Sequence, residues 1–161
     1  TEDAEIIAEF NSNTSESFFN QWAGKYYSFP ITREQIINRI QNEANTRYFA
    51  VLLDGSVIGT VELDFIDWDK RYCSVCRFFI CERFRGKGYG QRTLKLLCEH
   101  AFSELHMEKI SLTVFNFNAG AFQCYKKAGF IPVSESVRPN GWVAIKMELA
   151  KHIYYKTEAD T

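Results

Sequence analysis

The chain has 161 residues, of which 46% are hydrophobic and 16% aromatic, which is enough to build one domain with a substantial core. It carries 19 Lys and Arg against 20 Asp and Glu, a net charge of -1, and this balance excludes proteins that coat nucleic acid or an anionic membrane through bulk charge. No apolar run approaches the roughly 20 residues of a membrane-spanning helix, so we expect a soluble protein with neither kind of partner. An odd number of cysteines, five, favours reduced thiols in the cytoplasm over a disulfide framework.

The N-terminal part of the chain predicts two helices with an aromatic cluster between them. A first helix near 3–11 begins at Asp3, a capping residue. Thr32 and Gln35 form a capping box for a second helix over 32–44. Six aromatic side chains between these helices belong either to the core or to one wall of a cleft. They are Phe18, Phe19, Trp22, Tyr26, Tyr27 and Phe29.

The next segment changes to the alternating pattern of β-strands. Asp54-Gly55 lies between two apolar runs and is a hairpin signal, which predicts strands near 47–53 and 57–65. A third strand over 72–80 follows, antiparallel to the second. These three strands form a predicted β-meander.

The second half of the chain predicts alternating helices and strands. A long amphipathic helix follows the meander and precedes a strand over 109–115. Asn118 caps a short helix that ends near Ala128, before a glycine in the C-terminal cap position. Strands over 130–137 and 142–149 form a closing hairpin.

A glycine-rich, basic loop joins the meander to the long helix, in the stretch RFRGKGYGQRTL. A dinucleotide-binding fingerprint would require a glycine where Gln91 stands, and a P-loop would require Ser or Thr after Gly86-Lys87. The remaining pattern is a strand, R-G-K-G-Y-G and a helix, which places successive backbone N–H groups at a positive helix N-terminus. Such an arrangement suits a phosphate or pyrophosphate. A glycine-rich turn with a solvated basic face is the alternative.

Two motifs in register resemble the GNAT superfamily of N-acetyltransferases. The family motif Gln/Arg-x-x-Gly-x-Gly/Ala stands here as Arg85 followed by G-K-G-Y-G. The pattern N-x-x-A-x-x-x-Y-x-x-x-G-F is matched by Asn118, Ala121, Tyr125, Gly129 and Phe130. The resemblance covers residues 72–131 closely, and the element order agrees over 32–149. It implies an α/β (α+β) fold with a mixed, mostly antiparallel twisted sheet flanked by helices, and acetyl-CoA as co-substrate.

The same resemblance implies where the cofactor lies. The pyrophosphate would contact the backbone N–H groups of the glycine loop, and the pantetheine arm would run along the third strand. Asn118 matches a cofactor contact, although its position as a helix N-cap is a sufficient explanation by itself. The residues expected to bind the cofactor are Phe78, Phe79, Ile80, Arg85, Gly86, Lys87, Gly88, Tyr89, Gly90, Gln91 and Asn118.

Catalysis by direct attack of an amine in a ternary complex requires an acid, a base and an oxyanion site. Tyr125 matches the general acid of the family, and its alternative role is a core aromatic on a helix face. The family holds the oxyanion with a backbone N–H of the third strand. Some relatives that acetylate protein N-termini carry Glu where this chain has Thr113. We therefore take Glu62 as the candidate base, with a solvated strand face as the alternative for Glu62 and Asp64.

The acceptor remains open between a small-molecule amine and a peptide amine. The candidate acceptor-binding side chains are Trp22, Tyr26, Tyr27 and Trp68, with Trp142 as a further aromatic. A non-catalytic acyl-CoA sensor is the alternative function. We expect no metal, because Cys73 and Cys76 lie three apart on a strand and point to opposite faces. Members of the family frequently form homodimers, and the resemblance implies the same oligomeric state here.

The domain organisation follows from these elements. We expect residues 1–150 to form a single domain and residues 151–161 to form a weakly packed tail. The family usually begins with a strand just before the helix that opens here at Asp3. We therefore expect an edge strand upstream of residue 1, which the intact mass of the native protein would reveal.

Overall fold

The computed structural model describes the backbone of residues 2–159 and the side chains of residues 2–156. The helices are α1 (Glu2–Asn11), α2 (Glu16–Trp22), α3 (Arg33–Asn42), α4 (Tyr89–Ser103), α5 (Ala119–Lys127) and α6 (Lys151–Ala159). The strands are β1 (Arg47–Leu53), β2 (Ser56–Asp67), β3 (Tyr72–Ile80), β4 (Lys109–Phe115), β5 (Ile131–Val137) and β6 (Val143–Ala150). The predicted bounds of β1, β3 and β4 are confirmed at both ends.

The six strands form one sheet in the order β1-β2-β3-β4-β6-β5. Every neighbouring pair is antiparallel except β3 and β4, which are parallel and are connected by α4. Parallel neighbours need such a crossover, whereas antiparallel ones can be joined by a tight turn. The predicted mixed sheet, with its meander and closing hairpin, is confirmed. The additional strand expected before residue 1 stays a prediction.

Local capping explains where the N-terminal helices begin. The Thr32 hydroxyl accepts a hydrogen bond from the Gln35 N–H at 3.3 Å, as the capping box predicts. The Gln35 side chain does not return to Thr32 but contacts the backbone of Ser28, with its Oε1 accepting from the N–H at 2.8 Å. It therefore fastens the preceding loop to α3. The sequence analysis missed α2, which Ser15 caps by accepting from the Phe18 N–H.

α4 builds the core on one face of the sheet. Its apolar positions Leu94, Leu97, Ala101 and Phe102 are buried against β-strand side chains, as the amphipathic pattern predicts. Each large apolar side chain buried in this way stabilises the fold by about 1.5–3 kcal/mol. The long helix thus fixes the position of the glycine loop from which it starts.

A second core lies under α1, α2 and α3, on the side of β2 that carries Val57. The predicted aromatic cluster divides at this point. Phe19 and Tyr27 are buried in the second core, whereas Tyr26 and Phe29 are 38% and 37% exposed. The cluster therefore serves both as core and as surface.

The C-terminal segment corrects one expectation. Residues 151–159 form α6, where the sequence analysis expects a weakly packed tail. Tyr154 is only 5% exposed, and its ring lies 5.3 Å from that of Phe102. The apolar side chains are too few to predict this packing from the sequence. Residues 160–161 lie outside the described residues.

Gly59 on β2 allows β3 to approach closely. A Cβ built at this position would overlap the backbone carbonyl oxygen of Phe79, so Gly59→Ala forces the two strands apart. We expect the free energy of unfolding to fall by about 1–3 kcal/mol, as for other overpacked sites, in urea denaturation. Gly120→Ala is the matched control, because its Cβ would meet nothing within 4 Å on α5 and should raise stability by up to about 1 kcal/mol. Equal effects of the two substitutions would contradict the close approach.

Candidate functional site

A groove opens in the sheet between β3 and β4. Their backbone pairing runs from Tyr72 with Lys109 to Val75 with Leu112 and then ends, although both strands continue. The residues beyond the last pair, 76–80 on β3 and 113–115 on β4, line a groove of about 820 Å³. The facing edges of β3 and β4 therefore no longer pair with each other along this cavity, and Phe78, Phe79 and Ile80 line it.

A β-bulge marks the point where the groove begins. Glu62 pairs with Cys76, whereas Thr60, two residues away on β2, pairs with Phe79. β3 thus contains one extra residue, and Arg77 within it has a left-handed φ of +47°. A bulge of this kind bends its strand and redirects the residues that follow, which here are the residues that line the groove.

The glycine loop forms one end of the groove. Gly86 and Gly88 have φ values of +71° and +81°, and a Cβ built at either would meet nothing within 4 Å, so open space lies in front of the backbone. Gly88 is the N-cap of α4 and makes no side-chain cap. The first N–H groups of α4 therefore remain available to a ligand at the positive end of the helix.

Side chains of the loop separate into two groups. Arg85 is tied to β3, since its Nε donates to the Ile80 carbonyl at 2.7 Å, and it lines the groove together with Gly90 and Gln91. Lys87 and Tyr89 lie outside the groove lining and instead contact the Phe84 ring. Of the predicted cofactor-binding side chains, the structure does not bring these two to the groove.

α5 forms the opposite wall. The Asn118 side chain accepts from the Ala121 N–H at 3.2 Å, which confirms its N-cap role, and Asn118 also lines the groove. Tyr125 lies nearly two turns further along α5 and lines the same groove. Burial, with smaller contributions from the Cys124 and Cys76 thiols, raises the pKa of Tyr125 above its usual range. The phenol therefore holds its proton, as a general acid must.

Glu62 is not in the groove. It belongs to an ion cluster with Asp64, Arg39 and Arg77, in which all four residues are at most 7% exposed. Both oxygens of Glu62 are engaged: Oε1 accepts from the Tyr27 hydroxyl at 3.0 Å, and Oε2 accepts from Arg39 and Arg77 at 3.2 and 2.5 Å. The solvated strand face expected for Glu62 and Asp64 is wrong. The sequence analysis takes Glu62 as the candidate base at the cleft, but its carboxylate is enclosed in this cluster and does not line the groove.

Asp64 is held as an anion in this cluster. Burial opposes its ionisation, but hydrogen bonds from the Thr46 hydroxyl and the Phe65 N–H, together with Arg77 and Arg39, lower its pKa. The sequence analysis missed both arginines. The available signal was an arginine inside an otherwise apolar strand, opposite a strand that carries two carboxylates on one face.

A second pocket, of about 560 Å³, adjoins the groove, and Phe65 lines both cavities. We call it the acidic pocket, because Glu43, Asp67 and Asp69 line it as well as Asp64 of the ion cluster, against one basic residue of the lining, Arg39. Two of the predicted acceptor-binding aromatics, Tyr26 and Trp68, are on its wall.

The other predicted aromatics are elsewhere. Trp22 lines the groove and packs 5.0 Å from the Phe79 ring. Tyr27 is buried and bonded to Glu62, so the structure corrects its expected place in an acceptor site. Trp142 packs on Phe115, 4.8 Å between ring centres, beside the end of β4.

The described residues contain no group of three or more side chains that could hold a metal ion. All five cysteines are free thiols. None of the helices within residues 2–159 combines the length and apolar character required to cross a membrane.

Comparisons with known proteins match this architecture. A family model described as the acetyltransferase (GNAT) family matches residues 14–130, which include the bulge, the glycine loop and Tyr125. Spermidine N(1)-acetyltransferase of Escherichia coli (strain K12) is 27% identical over 168 residues, covering 99% of this chain and 89% of that protein. The L-amino acid N-acetyltransferase AaaT of the same organism is 30% identical over 94 residues, 57% of each chain. The crystal structure of spermidine N-acetyltransferase from Vibrio cholerae in complex with CoA and spermine has the same fold, with a TM-score of 0.81, 22% identity and coverage of 96% of this chain and 93% of that one.

Proposed function

Since the chain belongs to the acetyltransferase (GNAT) family and is an acetyl-CoA-dependent N-acetyltransferase, we propose that its acceptor is a linear polyamine such as spermidine or spermine, which attacks acetyl-CoA directly in a ternary complex. One observation carries this proposal: the acidic pocket adjoins the groove at Phe65. A long polycation can therefore reach the groove with one amine while its other amines remain among carboxylates.

The groove fits acetyl-CoA, which supplies an acetyl group activated as a thioester. The N–H groups from Gly86 to Gln91 would hold the pyrophosphate, because the loop presents open backbone at a positive helix end. The backbone of Phe78–Ile80 would hold the pantetheine arm and polarise the acyl carbonyl. Asn118 would contact the cofactor from the opposite wall, and Tyr125 would donate its proton to the leaving sulfur.

The acidic pocket offers two kinds of contact to a cationic chain. Asp69 forms no ion pair within the described residues, whereas Glu43 and Asp67 are partly compensated by Arg39 and Lys70. The Trp68 ring, which is 47% exposed and has Arg47 at 5.7 Å, adds cation–π attraction. The Tyr26 ring already lies against Arg39 and Arg77, at 4.2 and 4.8 Å from its centre, so it contributes contact area to the pocket wall. The AaaT similarity gives amino acids as the competing acceptor class, but these would leave the acidic pocket unused.

No Asp, Glu or His lines the groove among the described residues. An amine with a pKa near ~10 is mostly protonated at neutral pH, so its proton must leave through water before attack. Below that pKa, the neutral fraction grows about tenfold for each unit by which the pH rises. We therefore place the test reaction at mildly alkaline pH.

The acceptor is tested by release of CoA thiol from acetyl-CoA at pH 8.5 with spermidine, spermine, L-amino acids and a lysine peptide. We expect the polyamines to have the highest kcat/KM. Asp69→Asn and Glu43→Gln should each raise the KM for spermidine about threefold to fivefold, the effect of about 1 kcal/mol at an exposed charge. The KM for acetyl-CoA should not change.

Asp54→Asn is the matched control, because it removes the same charge from a hairpin turn outside both cavities. A preference for an amino acid or the peptide, or an equal KM change in all three variants, would contradict the polyamine assignment. No observation favours the non-catalytic sensor. The free thiols favour a reducing compartment, and we propose the cytoplasm. The homodimer stays a prediction.

A further inference from the structure

Arg77 occupies a backbone conformation that its side chain does not favour by itself. Its φ of +47° lies in the left-handed region, where a Cβ crowds the carbonyl oxygen that follows. It is also one of the two β3 residues, Arg77 and Phe78, that stand opposite the single β2 residue Val61 at the bulge, and both line the groove. An unfavourable conformation persists only where the surroundings fix it, so some contact must hold residue 77 in place.

The contact is made by the side chain of Arg77 itself. The guanidinium is buried and reaches across to β2, where Nε donates to Glu62 Oε2 at 2.5 Å and Nη2 donates to Asp64. The ring of Tyr26 covers it at 4.8 Å. Two ion pairs therefore span the point where the bulge interrupts the regular backbone pairing between β2 and β3.

The two carboxylates are themselves fixed, so they form a rigid anchor. Asp64 Oδ1 accepts from the Thr46 hydroxyl at 2.7 Å, and Glu62 Oε1 accepts from the Tyr27 hydroxyl at 3.0 Å. Arg39 contacts both carboxylates from α3. The anchor thus connects the bulge to β2, to Thr46 just before β1, and to the helical layer.

β3 needs this anchor because its backbone pairing with β4 ends close to the bulge. Pairing with β4 ends at Val75 and Leu112, two residues before Arg77. From there to Ile80, β2 is the only strand that pairs with β3 among the described residues, and Arg85 adds one hydrogen bond to the Ile80 carbonyl. Any rotation of the bulge would therefore redirect the N–H groups of residues 78–80.

We propose that Arg77 is a positioning residue for acetyl transfer, which acts through the β3 backbone by holding the bulge against Glu62 and Asp64. This inference rests on the proposed function in one respect, the use of residues 78–80 to polarise the acyl carbonyl. Arg39 contacts the same carboxylates with similar burial but lies on α3, away from the bulge. The structure therefore offers a matched pair of arginines, only one of which can position β3.

The experiment compares two charge-balanced double variants, Arg77→Met with Asp64→Asn and Arg39→Met with Asp64→Asn. Each leaves one arginine paired with Glu62, so no uncompensated buried charge prevents folding. Asn at residue 64 can still accept from Thr46 and the Phe65 N–H through Oδ1. Its amide NH2 then faces the remaining arginine in both variants alike, so that arginine is held through Glu62. The measurements are amide hydrogen exchange of segment 76–80 by mass spectrometry, the dissociation constant of CoA, and kcat and KM with spermidine.

We expect the Arg77 variant to exchange amides of segment 76–80 at least tenfold faster than the Arg39 variant, and to have a kcat at least tenfold lower than that variant. The dissociation constant of CoA should rise less in the Arg77 variant than kcat falls, because the glycine loop, which would hold the pyrophosphate, is unchanged and only the pantetheine contacts at residues 78–80 are weakened. Similar exchange of segment 76–80 in the two variants would overturn the proposal, as would a similar kcat. If the unmodified protein acetylates no polyamine, the proposed acceptor fails, and the exchange measurement still decides the role of Arg77.

Discussion

Replacing Gly88 with Glu is expected to raise the dissociation constant of acetyl-CoA by about 100-fold or more. Residue 88 is the N-cap of α4, where the loop presents its N–H groups. A carboxylate there would occupy the space in front of the loop and repel the pyrophosphate. Loss of two hydrogen bonds to a charged group, at about 1.5–3 kcal/mol each, corresponds to at least about 100-fold. Isothermal titration with acetyl-CoA measures the effect.

Gly55→Glu provides a matched control for this substitution. Its φ of +80° equals that of Gly88 within 1°, and a Cβ at either position would meet nothing within 4 Å. Both variants therefore incur the same left-handed penalty, about 1–2 kcal/mol, and should lose similar stability in thermal unfolding. Only Gly88→Glu should lose binding. Retained affinity in Gly88→Glu would mean that the glycine loop is a turn and not a phosphate site.

Tyr125→Phe should lower kcat by about 100-fold, the lower end of what a general acid contributes, and leave the affinity for CoA unchanged. The reason is that the leaving thiolate would depart without a proton. Because burial raises the pKa of Tyr125, its phenol stays protonated at the alkaline pH at which the amine becomes neutral. The measurement is the initial rate of thiol release at saturating acetyl-CoA and spermidine.

Tyr48→Phe serves as the control for loss of a phenol. Its hydroxyl donates to the Arg39 carbonyl at 3.0 Å, outside the groove, so this variant should lose about 1 kcal/mol of stability while kcat stays within threefold. A kcat of Tyr125→Phe within threefold of the unmodified enzyme would exclude Tyr125 as the acid.

Local signals were sufficient for much of the architecture. The bounds of β1, β3 and β4 follow from alternation between turn residues, and the N-cap role of Asn118 follows from a short-range side-chain preference. The glycine loop was recognisable because left-handed backbone at Gly86 and Gly88 is a local requirement. Each of these features depends on residues close together in the chain.

The parts that sequence reasoning missed depend on distant residues. Glu62 and Asp64 read as a solvated strand face because Arg39, more than 20 positions earlier, covers them only after α3 packs. The bulge at Arg77 depends on a partner strand, and it has no signature of its own within β3. The burial of Tyr154 likewise requires Phe102, on a different helix. These arrangements arise in tertiary packing, which alternation and capping do not encode.

The end of the backbone pairing between β3 and β4 has a consequence for the reaction kinetics. Phe18 and Trp22 of α2 line the groove from one layer of helices, and Asn118 and Tyr125 of α5 line it from the other. Helices of both layers therefore border the gap, and we expect the two reactants to arrive from its opposite sides without crossing each other's path. Neither reactant must then wait for the other to bind or leave. The order of addition can be random, and one product can dissociate while the other is still bound.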